Sequence, residues 1–195
     1  MKRISKKIDN HFTKAEKNKT TKEKKIFHFN YTSLKNNQIP IAGRHSILSA
    51  LNNKNRKLHY LITTNINVSK WKDEINKFKL KLDIEVKTKE EMDRINNHKP
   101  HQNAILVTEP LKRLSMDEFL SHHRSNNQIP IRLILLDEVT DPQNVGAIIR
   151  SALAFKMDGL ALSQRNSPQE TSALTKASSG AIEKLQIIEL SNMSR

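Results

Sequence analysis

The sequence predicts an α/β fold made of two successive units, and three observations support this prediction. Short apolar runs that suit β-strands alternate with amphipathic helical stretches between residues 38 and 108. The same alternation returns between residues 131 and 195. Residues 109–130, which lie between the two units, hold a proline, a short helical stretch and a polar run, as is typical of a linker.

The first unit, residues 38–108, is predicted to alternate strands and helices as parallel-sheet units do. One helix carries its apolar residues at intervals of three and four, which places them on one face. The other helix begins with a capping box, in which Thr88 and Glu91 satisfy each other's backbone N–H groups. Strands are predicted at 57–63, 82–86 and 104–110, and helices at 67–80 and 88–95.

The second unit begins with IRLILLD (131–137), a continuous apolar run that predicts a strand buried on both faces. Ser167 and Pro168 predict the start of a helix that ends near Gly180, because proline favours the first helical position. A further helix is predicted at 144–155, and further strands at 159–162 and 185–190.

Composition excludes several classes of protein. The chain has no cysteine, which excludes a disulfide framework, a thiolate metal site and a cysteine nucleophile, and which fits a reducing cytoplasm. No apolar run approaches the roughly 20 residues of a membrane span. His122 and His123 are adjacent and have no partner at metal-ligand spacing, so no metal site is predicted.

The positive charge is unevenly distributed, which points to nucleic acid as a partner. The formal net charge is +14, of which +7 lies in residues 1–25, +7 in residues 26–130 and none in residues 131–195. Residues 1–37 are mostly polar and aperiodic, and are predicted to form a basic disordered tail. A basic surface attracts RNA or DNA by neutralising phosphates and releasing counterions.

The segment LLDEVTDPQNVGAIIRSALAFKMDGLAL (135–162) combines a strand, a polar loop and a helix. In α/β sheets ligands bind at the carboxyl ends of strands, where a helix N-terminus offers free N–H groups. Asn144 can cap this helix or bind a ligand, Gly146 allows another backbone or a ligand to approach, and Arg150 can bind a phosphate. Taken singly, the three residues fit a capping asparagine, a packing glycine and a surface arginine better than they fit a ligand site.

Taken as a whole, the pattern LD-x-V-x-DP-x-N-x-GAIIRSA-x-AF resembles the first motif of the SpoU (TrmH-like) family of SPOUT-class RNA methyltransferases. The segment IAGRHSILSAL (41–51) is similar to the opening of the small L30e-like substrate-binding domain of many members. The segment TKASSGAIEKLQII (175–188) is similar to the region between the family's first and second motifs. The resemblance covers about residues 38–190.

This resemblance implies an L30e-like domain at 38–108 and part of a SPOUT methyltransferase domain at 131–195, without the C-terminal segment that forms the family's trefoil knot. It implies transfer of a methyl group from S-adenosylmethionine to a ribose 2′-hydroxyl of rRNA or tRNA, and a homodimer in a complete protein. It also places Asn144 and Arg150 at catalytic positions. A guanidinium stays protonated at physiological pH, so we expect Arg150 to orient RNA phosphate and to stabilise the developing alkoxide rather than to remove a proton.

The sequence departs from the family pattern in two respects. The glycine-rich second motif and the Ser-Leu-Asn-Val-Ser-type third motif are absent, so no cofactor-binding residue is predicted on this chain. Lys156 stands where the family usually has a small residue, commonly glycine, after the motif helix.

Two other hypotheses stay open. The chain can be a non-catalytic RNA-binding protein, since its positive charge lies outside the methyltransferase unit. It can also be the remnant of a truncated or split gene, because a final apolar strand with an exposed edge is a liability. The residues predicted to contact RNA phosphates, each of which also fits a solvated surface charge, are Arg44, His45, Lys54, Arg56 and Lys57.

Overall fold

The computed structural model describes residues 34–35, 37–125, 130–165 and 167–191. Most of the tail predicted for residues 1–37 therefore lies outside the described residues. We call residues 38–108 the N-terminal half; they form a four-stranded sheet with the order β1-β4-β2-β3. Its elements are β1 (Ile39–Ala42), α1 (Arg44–Asn52), β2 (Leu58–Thr63), α2 (Val68–Lys77), β3 (Asp83–Val86), α3 (Lys89–Ile95) and β4 (Ala104–Thr108).

Helices cover both faces of this sheet, and the alternation of side chains along β4 shows it. Leu106 packs on one face with Trp71 of α2, whereas Ile105 packs on the other face with Met92 of α3. All five residues of β4 are buried as a result. Successive side chains of a strand point to opposite faces, so a central strand covered on both sides needs apolar residues throughout.

The sheet of the N-terminal half is mixed, and the predicted parallel arrangement is wrong for β4. β2 and β3 pair in parallel, but β4 runs antiparallel to both β1 and β2. The loop from α3 to β4 turns the chain back, and its Asn97, His98, Gln102 and Asn103 all have positive φ. Alternation of strands and helices in a sequence does not specify strand direction, which depends here on this loop.

The C-terminal half, residues 130–191, forms a three-stranded parallel sheet with the order β5-β6-β7. The central strand is β6, whose first four residues are buried. The prediction that the first strand is buried on both faces is wrong, because β5 pairs only with β6 among the described strands and Leu135 is 56% exposed. Its elements are β5 (Leu133–Leu136), α5 (Pro142–Ala154), β6 (Gly159–Ser163), α6 (Ser172–Ala177) and β7 (Gln186–Leu190).

Helix α6 begins later than the sequence predicts. Its N-cap is Thr171, whose hydroxyl accepts a hydrogen bond from the backbone N–H of Leu174 at 3.3 Å. The residues before it have partners outside the helix. The carbonyl oxygen of Pro168 accepts from Arg113 at 2.5 Å, and the carboxylate of Glu170 accepts from the backbone N–H of Leu111 at 2.8 Å. These tertiary contacts outweigh the local preference of a Ser-Pro pair for a helix start.

The segment predicted as a linker packs against the C-terminal half. Leu114 forms a parallel bridge with Ile188, so it covers part of the outer edge of β7. Helix α4 (Met116–Ser125) follows, and its Phe119 is fully buried against Ala161 and Ile188. Among residues 116–124 the polar side chains lie mostly on the exposed side of this short amphipathic helix, and His123 is the buried exception.

The end of α5 shows why a glycine would suit the position of Lys156, after the motif helix. The N–H of Met157 donates to the carbonyl of Ala152 at 2.9 Å, and the N–H of Lys156 donates to the carbonyl of Leu153 at 3.1 Å. This pair of bonds is a Schellman motif, in which the residue after the cap adopts the left-handed conformation. Lys156 does so with φ 56°, at a position where glycine carries no Cβ penalty.

We therefore expect Lys156→Gly to raise the free energy of unfolding by about 0.5–1 kcal/mol, because it relieves the left-handed strain. Chemical denaturation of the full chain measures this change. The matched control is Lys72→Gly inside α2, which we expect to lower the free energy of unfolding by about 1 kcal/mol. Equal losses in both variants would contradict the strain argument.

Candidate functional site

The loop after β5 and the first turn of α5 carry the candidate motif at the carboxyl end of β5. The N-cap of α5 is Asp141, whose carboxylate accepts a hydrogen bond from the N–H of Gln143 at 3.0 Å. Asn144 is therefore not the cap; it lies in the first turn with an exposed side chain. Glu138, in the same loop, has φ 54°, which is a strained conformation for a residue with a side chain.

Asn144 and Arg150 are both exposed on α5, and neither pairs with another residue of the described ranges. They lie six residues apart, which corresponds to about 9 Å along the helix axis. Helical side chains lean towards the N-terminus, so the long side chain of Arg150 can reach back towards the first turn. Around the helix axis the two residues lie about 120° apart, so a ligand that contacts both must extend over that side of α5.

Gly146 fixes the position of this helix rather than admitting a ligand. A Cβ atom at Gly146 would lie 2.7 Å from both the carbonyl oxygen of Leu174 and the Cβ of Ala177, on α6. Real Cβ atoms do not approach other atoms so closely. The glycine therefore allows α5 and α6 to pack at short range, with Val145 and Ile149 buried beside it.

We expect Gly146→Ala to lower the free energy of unfolding by about 2 kcal/mol, because the added methyl group forces α5 and α6 apart. Chemical denaturation of the full chain measures the loss. The control is Ser151→Ala on the exposed side of the same helix, which we expect to change stability by no more than about 0.5 kcal/mol. A Gly146→Ala variant as stable as the control would show that the contact is not tight.

Four of the five residues predicted to contact RNA lie at the surface of the N-terminal half. His45 and Lys54 are exposed. Arg44 is paired with Glu74 at 2.7 Å, and Lys57 with Glu109 at 2.6 Å. Lys57 keeps the pKa of Glu109 below its usual value, and Lys77 with Arg44 does the same for Glu74.

The structure does not support an RNA contact for the fifth residue, Arg56. Its side chain has no exposed surface, and it lies between Glu170 and Glu183 of the C-terminal half. Its guanidinium donates to Glu170 at 2.6 Å, to Glu183 at 2.5 Å, and to the carbonyl oxygen of Glu109 at 2.8 Å. A buried guanidinium with all these partners is not available to a phosphate.

The charges of this cluster are mutually stabilised. Burial alone lowers the pKa of Arg56, but the hydrogen bonds and negative charges of Glu183 and Glu170 outweigh burial and raise it. Asn53 donates a further hydrogen bond to Glu183 at 2.8 Å. Sequence reasoning missed the role of Arg56, although Glu183 falls within the 175–188 segment that it had singled out.

A groove of about 870 Å³ opens beside the cluster, and both halves and the connecting segment line it. Asn53 and Asn55 contribute from the N-terminal half, and Glu183 and Lys184 from the C-terminal half. Neither Asn144 nor Arg150 lines it. Ile149, which precedes Arg150 in α5, does line it, so the groove reaches the buried side of the motif helix.

Within the described ranges, no group of three or more His, Asp or Glu side chains is placed to hold a metal ion. His123 is buried, stacks on Phe119 and has its Nδ1 2.9 Å from the carbonyl oxygen of that residue. A carbonyl oxygen only accepts, so this nitrogen carries a proton. Over the same ranges no helix is long and apolar enough to cross a membrane.

The described residues do not by themselves fit a nucleoside methyl donor such as S-adenosylmethionine. Such a ligand needs a concave, largely apolar pocket with backbone groups close to it. The space beside Gly146, a glycine of the candidate motif, is occupied by α6. At the carboxyl ends of the strands, Asp137, Glu138, Gln164 and Arg165 are exposed.

Comparison with known proteins matches both halves to one family. Residues 132–195 match the family model described as "SpoU rRNA Methylase family", and residues 40–114 match "RNA 2'-O ribose methyltransferase substrate binding". A relative from Dictyostelium discoideum, "rRNA methyltransferase 1, mitochondrial", is 36% identical over 57% of this chain and 25% of its own length. A "Putative TrmH family tRNA/rRNA methyltransferase" from Staphylococcus epidermidis is 30% identical over 80% of this chain and 63% of its own length.

Solved structures share the fold. The SpoU methyltransferase AviRb from Streptomyces viridochromogenes, in complex with the cofactor AdoMet, superposes with a TM-score of 0.61 and 18% identity, over 84% of this chain and 61% of that one. An AdoMet-bound rRNA methyltransferase from Sinorhizobium meliloti gives 0.58 and 20%, over 79% and 54%. The chain thus spans less than two thirds of the length of these relatives and structures.

Proposed function

Because the chain belongs to the SpoU family of RNA methyltransferases, we propose that it acts in the 2′-O-methylation of ribose in rRNA or tRNA. One observation carries the proposal. Asn144 and Arg150, the residues at the family's catalytic positions, are exposed and unpaired within the described ranges. Asn144 lies in the first turn and Arg150 in the second half of α5, the helix that Gly146 holds in place. A surface arginine with no structural partner is available to a substrate.

Arg150 acts on the RNA side of the reaction. Its guanidinium stays protonated, so it binds an RNA phosphate and stabilises negative charge as it develops on the ribose 2′-oxygen. Asn144 can donate its amide N–H groups to the same ribose or phosphate. The proton of the hydroxyl passes to a phosphate oxygen or to water, because a protonated guanidinium has no site to accept it.

The methyl donor of this proposal is S-adenosylmethionine, which is the cofactor named for the structural relatives AviRb and the Sinorhizobium meliloti enzyme. Its chemistry is to supply an electrophilic methyl group. The described residues do not form its pocket, so no step is assigned to them on the donor side. A homodimer of a complete protein and a cytoplasmic location stay predictions. The first rests on the family resemblance, and the second fits the absence of cysteine.

The N-terminal half binds the RNA in this proposal. It matches the family's substrate-binding model, and its likeness to L30e stays a prediction. Arg44, His45, Lys54 and Lys57 are the surface residues that we assign to phosphate contacts. Arg44 and Lys57 exchange Glu74 and Glu109 for phosphate oxygens when RNA binds, which costs little because exposed ion pairs are weak.

A non-catalytic RNA-binding protein is the alternative. The observation that favours it is that exposed basic side chains lie on the N-terminal half, whereas residues 131–195 carry no net charge. Both functions share the RNA contacts and differ only in methyl transfer. The binding experiment that follows tests the shared contacts, and the methyl-transfer experiment after it separates the two functions.

We expect Lys57→Gln to weaken RNA binding several-fold at low salt and to reduce the slope of log affinity against log salt by about one, because one phosphate contact is lost. Fluorescence anisotropy with a structured RNA at several salt concentrations measures both. Lys112→Gln is a matched control: Lys112 is 75% exposed and paired with Glu118 at 2.7 Å, much as Lys57 is 68% exposed and paired with Glu109. Equal effects would mean that binding follows net charge rather than this surface.

In a preparation of this protein that transfers methyl groups to RNA, we expect Arg150→Ala to lower the transfer rate about 100-fold or more, as loss of one charge-stabilising donor does. Transfer of labelled methyl groups from S-adenosylmethionine measures the rate. Thermal unfolding should be unchanged, because Arg150 is exposed and unpaired within the described ranges. The control, Arg132→Ala, removes a 54% exposed arginine before β5. Wild-type chain that binds RNA but transfers no methyl group would support the non-catalytic alternative.

A further inference from the structure

The two halves of the chain are in direct contact, and α6 lies between them. On one side α6 packs on α5 at Gly146, as described above. On the other side the buried hydroxyl of Ser46, in α1, donates to the carbonyl oxygen of Thr175, in α6, at 3.0 Å. Gly180, with φ 85°, leaves so little room that a Cβ there would lie 2.6 Å from the Cβ of Ser49. The described residues accordingly belong to one compact unit.

The Arg56 cluster lies at this boundary, and each of its charges depends on the other half of the chain. Arg56 belongs to the N-terminal half, whereas Glu170 and Glu183 belong to the C-terminal half. The side chains are 0%, 7% and 2% exposed. If the halves separated, Glu170 and Glu183 would stay close together without the Arg56 cation. Two neighbouring carboxylates without a cation are strongly unfavourable in a poorly solvated environment.

Packing contacts such as those of Ser46 and Gly180 tolerate small sliding, but the Arg56 cluster does not. A guanidinium has a rigid, planar set of donors, and all three nitrogens of Arg56 donate hydrogen bonds. Nε donates to Glu183, Nη1 to the carbonyl oxygen of Glu109, and Nη2 to the carboxylates of both Glu170 and Glu183. Such a geometry specifies both the distance and the orientation between the parts that it joins.

We propose that Arg56 is a positioning residue that locks the RNA-binding N-terminal half at one distance and orientation from the motif helix α5. The consequence, which rests on the proposed function, is specificity. When the surface around Lys54 and Lys57 holds the RNA, only one nucleotide of the RNA lies at the right distance from Arg150. Its neighbours are misplaced and react slowly, because a misplacement of about 1 Å strongly lowers catalytic rates. A flexible connection would instead present several neighbouring nucleotides.

Spin labels test the lock without RNA or methyl donor, so its failure can be told apart from failure of the proposed function. The chain has no cysteine, and Lys72→Cys on α2 with Ser151→Cys on α5 gives two exposed labelling sites, one in each half. Double electron–electron resonance on the full chain then gives the distance distribution between the halves. We expect one narrow distribution in the doubly labelled parent and a clearly broadened or shifted one after Arg56→Met.

Arg132→Met is the control, since Arg132 pairs with Asp158 inside the C-terminal half, and we expect it to leave the distribution narrow. If Arg56→Met fails to fold, Glu183→Gln decides, because it keeps the shape of the side chain but removes one charge of the cluster. We expect it to broaden the distribution less than a folded Arg56→Met. An unchanged narrow distribution in the folded variants would overturn the proposal.

A second measurement separates positioning from simple destabilisation. Below its melting temperature, the folded Arg56→Met or Glu183→Gln variant should bind RNA within about twofold of wild type, since the phosphate contacts of the surface are intact. In a preparation that transfers methyl groups, the variant should show a rate at least tenfold lower and modification spread over neighbouring nucleotides. Loss of affinity equal to the loss of rate would contradict a positioning role.

Discussion

Close packing of α6 against two neighbours is the constraint on which the candidate site depends. Gly146 brings α5 within van der Waals range of α6, and Gly180 brings the turn after α6 equally close to α1. Neither contact leaves space for a methyl group. Asn144 and Arg150 are therefore held close to the N-terminal half through α6 and the turn after it, and a change at either glycine is transmitted to the motif helix.

Much of the fold follows from local sequence, because its signals act within a few residues. The capping box of Thr88 and Glu91 is present as predicted, and the motif helix and the strands of both halves lie close to their predicted positions. Strand direction and the start of α6 depended instead on distant partners. Arg113, for instance, lies 55 residues from the Pro168 carbonyl that it binds, and no local pattern encodes such a pair.

Arg150 and Arg56 show how far the candidate site could be predicted from the sequence. Arg150 was recognised because it belongs to an ordered motif, and the structure leaves it exposed on α5. Arg56 was assigned to RNA because it lies in a basic stretch, yet its partners Glu170 and Glu183 are 114 and 127 residues away. Charge in a sequence is mostly surface charge, and a buried arginine becomes recognisable only when its carboxylates are brought to it by the fold.

The distribution of charge indicates that the two halves contribute differently to RNA binding. Residues 131–195 have no net charge, so the C-terminal half adds little electrostatic attraction for RNA, and affinity must come from the N-terminal side. Affinity of this kind is not selective for position, because phosphates repeat along the chain. Selection of one ribose needs a fixed geometry between the surface that binds and the residue that acts on the hydroxyl. In our proposal the buried cluster around Arg56 supplies that geometry, and its guanidinium is engaged by Glu170 and Glu183 rather than by RNA.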